Sequence, residues 1–107
     1  MIAVLVPGKT GAWGVIYDSA MNAIVGLEDA EVMTHIPKNP DKYEKIVIIM
    51  GVRKGKKIVL SAKRAYESLK KTSSKIIVMD DFDWGIPGQI VVIPGHLPTQ
   101  ISEVLSK

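Results

Sequence analysis

Three aspartates, Asp80, Asp81 and Asp83, follow directly on the apolar run Ile76, Ile77, Val78, Met79. Carboxylates this close hold a hard cation such as Mg²⁺ when they converge, and the cation then offsets the charge of a substrate phosphate. Mg²⁺ is the cofactor such a turn would use, and phosphoryl transfer the reaction, with Lys54 or Lys56 orienting the anion. A polar turn whose acids accept from backbone amides is the plainer reading of the same residues. The second chemical feature is positive: Arg53, Lys54, Lys56, Lys57, Lys63, Arg64, Lys70 and Lys71 all fall within residues 53–71. Cations seven residues apart lie about 10 Å apart along a helix, a reach suited to phosphates of one nucleic-acid strand, where each neutralised phosphate releases counterion. Aromatics for base stacking are not interleaved, except Tyr66, which the helical period turns inward. The solvated face of an ordinary amphipathic helix is the competing reading.

The elements that position these groups form one unit, residues 45–83. Ile46, Val47, Ile48, Ile49 and Met50 read as a strand ending at Gly51, and Ile76 to Met79 as its parallel partner. Between them the helical period places Ile58, Ala62, Ala65, Tyr66 and Leu69 on one face. Lys56, Lys63 and Lys70 fall on the opposite side, with Lys57, Arg64 and Lys71 beside them. In the alternative, Ile58, Val59 and Leu60 make a short strand and Ser61 caps a helix beginning at Ala62. Earlier in the chain, residues 2–6 read as a buried strand, the aromatic and β-branched residues 13–18 as a second, and residues 23–27 as a third weakened by Gly26. Residues 19–22 would be a turn, with a helix over 19–27 as the competing assignment, and residues 31–36 alternate polar and apolar. Pro37, Asn39 and Pro40 mark a linker. Residues 82–89 read as an irregular loop and 90–93 as a last strand. A terminal helix begins at Pro98 or Thr99, with Ile101, Val104 and Leu105 on one side.

Three local patterns resemble known families. Asp81, Phe82, Asp83 followed by Gly85 resembles the acidic turn of Toprim domains, which implies metal-dependent nuclease or phosphoryl-transfer chemistry. That family's first strand ends in glutamate before glycine, whereas here Met50 precedes Gly51. Pro7, Gly8, Lys9, Thr10 resembles the end of a phosphate-binding P-loop. The full pattern needs glycine where Ala3 stands and a helix afterwards, and the following residues read as strand, so a β-turn is expected. Early hairpins, a βαβ unit and a terminal helix resemble the ribonuclease-H-like arrangement and the small iron-molybdenum-cofactor-binding domains, supported only by residues 13–18 and the turn at Asn22. The histidines, His35 and His96, have no histidine or cysteine nearby, so a metal site would draw on distant acids. His96, after Pro94 and Gly95, is placed for a base or for the surface. Trp84, beside the acids, would stack on a base or sugar or close the core.

A chain of 107 residues, 47% hydrophobic, suffices for one core. The absence of cysteine excludes disulfides, thiolate zinc sites and cysteine nucleophiles. No apolar run approaches the roughly 20 residues of a membrane span, so a soluble, cytoplasmic protein is expected, with no membrane partner. The net charge of +3 is unevenly spread. Residues 1–44 carry three lysines against six acids, residues 45–75 ten cations against Glu67 alone, and the remainder Lys107 against four acids. The positive field therefore belongs to the 45–75 segment. Twelve of the fourteen cations are lysine, a bias shared with thermophile proteins.

The sequence thus predicts an α/β fold: a single compact domain over 1–107, with a mixed sheet, antiparallel N-terminal strands, a βαβ unit and a C-terminal helix. The expected function is binding of nucleic acid or phosphate through the basic helix. The alternatives are an Mg²⁺-dependent enzyme at the acidic turn and an interaction subunit or homodimer that buries an edge strand.

Overall fold

The computed structural model describes residues 1–50 and 62–106 in full and the backbone of 52–54 and 57–60; Gly51, Gly55, Lys56, Ser61 and Lys107 lie outside the described residues. Two strands set the centre of the sheet. In β1 (Ile2–Leu5), Ala3 and Leu5 face one side while Val4, and Val6 just beyond, face the other. After β2 (Ala30–Met33), β3 (Lys45–Ile49) alternates in the same way, with Ile46 and Ile48 opposite Val47 and Ile49. All eight apolar side chains are 0% exposed, so these strands need cover on both faces, as parallel strands with crossover helices receive.

That cover comes from three helices. α1 (Gly14–Ala23) places Ile16 and Ala20 on the Val4/Val47 face, where α3 (Leu97–Ser106) adds Leu97, Ile101, Val104 and Leu105. α2 (Ala62–Leu69) covers the opposite face with Ala62, Ala65 and Leu69, joined there by Tyr43 and Ile86. Between β3 and α2 lies a separate antiparallel hairpin, β4 (Val52–Lys54) and β5 (Lys57–Leu60). The main sheet has the order β2-β1-β3-β6-β7, with β6 (Lys75–Asp80) beside β3 and the two-residue β7 (Ile90–Val91) at the far edge. Every pairing in it is parallel.

The antiparallel N-terminal sheet expected from the sequence is therefore overturned, and with it the mixed sheet. Residues 13–18 are not a strand: Gly11–Trp13 form a 3-10 turn leading into α1. Trp13, Ile16, Tyr17, Ala20 and Ile24 recur at helical spacing and pack on one cluster. The aromatic and β-branched composition of six residues outweighed that period because the window was too short to show it. Residues 19–22 and Ala23 continue the helix, so neither the turn nor the third strand at 23–27 forms. The βαβ unit is present, in the version with a short strand before a helix that begins at Ala62. Lys57 consequently starts β5 and is not helical, and Lys56 lies outside the described residues. The terminal helix forms as expected, starting one residue earlier at Leu97 with Pro98 in its first turn, where no intrahelical N–H is needed.

One cation of the basic segment is not on the surface. Lys45, 8% exposed, donates through Nζ to the carbonyl oxygen of Val104 at 3.1 Å. That carbonyl sits in the last turn of α3, where helix carbonyls lack intrahelical partners and a cation is favoured.

Candidate functional site

Because α1 and α2 leave the sheet toward opposite faces, the chain diverges beyond the carboxyl ends of β1 and β3. In open parallel sheets this is where a crevice forms. A cleft of about 380 Å³ occupies that edge, lined by Trp13, Met50, Ala62, Asp80, Asp81, Phe82 and Trp84.

Each wall has a local cause. Trp13 packs over Gly8, where an added Cβ would lie 3.2 Å from the indole Cδ1, so a side chain there would push the ring by a few tenths of an ångström. Met50, the residue after β3, lies in the left-handed region, φ 55°, while its N–H donates to the Met79 carbonyl at 2.8 Å. A non-glycine residue in that conformation is uncommon and costs about 1 kcal/mol or more. Asp80, the last residue of β6, is 7% exposed and accepts the indole N–H of Trp84 at 2.8 Å and the backbone N–H of Phe82 at 3.2 Å. Gln89 pins the same loop from the other side: its amide accepts the Trp84 N–H at 3.0 Å and donates to the Phe82 carbonyl at 2.7 Å. The rings of Phe82 and Trp84 are thereby held 4.6 Å apart at 59°, and Phe82 is 60% exposed.

The electrostatics of the edge centre on the adjacent carboxyls. A hydrogen bond to the Asp80 side chain, reinforced by desolvation and by the Asp80 charge, holds the Asp81 carboxyl above the usual aspartate range. Asp83 turns away into a local cap, accepting the Gly85 N–H at 2.9 Å, and Gly85 takes φ 72°. Asp80 and Asp81 are thus brought together at the cleft and Asp83 is not among its lining residues. Among the described residues, no group of three histidine, cysteine or acidic side chains is placed to hold a metal ion.

The basic residues divide along the same axis. Lys63 and Arg64 are exposed in the first turn of α2, next to Ala62 at the cleft. Lys70 and Lys71 lie beyond the other end of the helix. Lys70 pairs with Glu67 at 2.6 Å, and that bond raises the lysine pKa and lowers the glutamate's. Arg53, Lys54 and Lys57 belong to the hairpin, of which the backbone is described. Tyr66 packs inward with α2, as its spacing indicated. His35 stands after β2, away from the crevice, and His96 donates its N–H to the Ile93 carbonyl at 2.9 Å just before α3.

Sequence reasoning missed Trp13, Met50 and Gln89 as parts of the site. Trp13 was legible from the helical period after Gly11. Met50 and Gln89 carry no local signal, because their roles depend on where the sheet edge and the loop meet. Comparison of the chain with protein-family models, curated proteins and solved structures finds no match.

Proposed function

We propose that the chain is a binding domain for a phosphate-bearing nucleobase ligand, a nucleotide or the end of a nucleic-acid strand, held at the carboxyl edge of the sheet. The observation that carries this reading is the crevice at the chain's divergence point, where aromatic rings stand beside two carboxyls. Its volume lies in the range of small-molecule sites. Base stacking on aromatic rings contributes about 1–3 kcal/mol per base, and Asp81 is placed to accept from an exocyclic amine, as carboxylates do from cytosine. Lys63 and Arg64, next to Ala62 in the first turn of α2, supply cations for the phosphate. Lys70 and Lys71 would extend that track only for a longer strand.

The test uses intrinsic fluorescence, since both tryptophans of the chain line the crevice. Titration with adenosine, cytidine and guanosine monophosphates at low salt is expected to quench emission, with the matching nucleosides binding more weakly. Unchanged emission at millimolar ligand, for mononucleotides and short oligonucleotides alike, contradicts the reading.

Metal-assisted phosphoryl transfer at the same edge is the second reading. The neighbouring Asp80 and Asp81 carboxyls favour it, since Asp81 has its pKa raised by the hydrogen bond to Asp80 and such a pair can exchange a proton with substrate. Mg²⁺-dependent cleavage of a phosphodiester, lost in a D81N variant and kept in D83N, would establish it. Binding without turnover is the outcome the first reading expects.

A further inference from the structure

Residues 1–44 are acidic overall, and their only three cations are Lys9, Lys38 and Lys42. All three line a single cleft of about 440 Å³ under the edge strand β2, together with His35, Asn39 and Tyr43. Lys9 comes from the loop after β1, while Lys38 and Lys42 come from the connection between β2 and β3. Separate segments of an otherwise negative region thus deliver every positive charge they have to one place.

Positive charge is in excess there, three lysines against the single carboxylate of Glu31. Among the described residues none of the three lysines forms an ion pair. Lys9 Nζ sits 5.7 Å from the centre of the Tyr17 ring and Lys42 Nζ 5.2 Å from that of Tyr43, so ring faces, not carboxylates, neighbour them. The one carboxylate of the cleft, Glu31, is engaged by the Tyr43 hydroxyl, which donates to it. Tyr43 is in turn 3% exposed and packed in the α2-side core, which anchors that wall. The connection is fixed to the turn before β6 by Asp41, which accepts from the Ser73 N–H at 2.8 Å and its hydroxyl at 3.0 Å.

We propose that this cleft is a second binding site, separate from the crevice, for a small anion carrying two or more negative charges: a phosphate ester or a polycarboxylate. Three ammonium groups and an amide give such an anion charge-assisted donors from several directions. The strand order leaves β2 at the sheet edge, so no further strand closes the cleft against a ligand.

The experiment is an amide and histidine-ring NMR titration of the full chain with inorganic pyrophosphate and, separately, citrate, at low salt. Saturable shifts at Lys9, His35, Lys38, Asn39 and Lys42 are expected with at least one of them. Pyrophosphate alone would point to phosphate esters and citrate alone to polycarboxylates, and either supports the site. K38Q and K42Q should each weaken binding about tenfold, while K75Q, an exposed lysine at the opposite end of the sheet, should not. All three positions are exposed, so these variants should fold. The proposal is overturned if neither anion gives saturable shifts at these residues, or if K38Q and K42Q bind as tightly as K75Q.

Discussion

Tyr43 and Asp81 hold protons longer than their ordinary chemistry would, for related reasons. The hydrogen bond to Glu31 pushes the Tyr43 phenol up to about 12 from 10.0, with burial and the glutamate charge adding to it. Because the folded state keeps the proton that the unfolded chain releases, this contribution is complete below pH 10 and is lost as the pH rises toward 12. Tyr43→Phe should therefore cost about 1 kcal/mol near neutral pH, measured by urea unfolding, and the gap to the unsubstituted chain should narrow between pH 10 and 12. Asp81 follows the same sign: its raised pKa stabilises the fold below the ordinary aspartate range and ceases to do so as the pH rises through the raised value. Asp81→Asn keeps a donor toward Asp80 without the charge. It should raise the unfolding midpoint slightly at pH 7, with the gain disappearing in acid. Lys45 is a third residue whose role its sequence context hid. Lys45→Met removes the donor to Val104, and a cost of about 1–2 kcal/mol in urea unfolding is expected from the carbonyl left without it.

At the scale of elements, two glutamine side chains act as short stand-ins for strands. Gln100 accepts from the Ile93 N–H and donates to the Val91 carbonyl, each at 3.0 Å, covering the edge of the two-residue β7. Gln89 makes the equivalent pair of bonds within the loop that carries Phe82 and Trp84. Their removal should differ in consequence. Gln89→Ala should release the Phe82 and Trp84 backbone and loosen the loop that presents the two rings, shifting tryptophan emission and weakening any ligand of the crevice, whereas Gln100→Ala should lower stability by about 1 kcal/mol with crevice binding retained. Differential scanning fluorimetry beside the nucleotide titration separates the two. Neither role was legible in the sequence, since a glutamine that bridges backbone groups looks like any polar loop residue until its neighbours are placed. What was legible followed strong periods: the unbroken apolar run of β3, the parallel return at β6, and the i, i+3, i+4 pattern of α2 and α3. α1 was obscured because Trp, Val, Ile and Tyr favour strands and outvoted a helical spacing visible only over residues 13–24. Reading that segment as a strand then forced an antiparallel partner, and the sheet's direction was lost with it.

For the whole molecule, the parallel order β2-β1-β3-β6-β7 changes what the charge distribution means. The +9 of residues 45–75 looked like one basic face. Folded, Lys45 is buried against α3, Lys70 pairs with Glu67, Lys75 begins β6 at the amino edge, and Lys63 and Arg64 stand at the carboxyl edge near the crevice. The acidic turn was placed correctly at a strand end, yet its three aspartates serve different partners. Among the described residues, no helix is long and apolar enough to cross a membrane. The central claim is that ligand binding belongs to the carboxyl edge, where Trp13 and the Asp80 to Trp84 turn meet. The most direct measurement is amide chemical-shift mapping of the chain titrated with adenosine monophosphate at low salt. The account predicts shifts at Gly8, Trp13, Met50, Ala62, Lys63, Asp81, Phe82 and Trp84, with Ile2, Ala30 and Lys75 at the amino edge unmoved. Shifts confined to Lys70 and Lys71, or spread evenly over both edges, would contradict it.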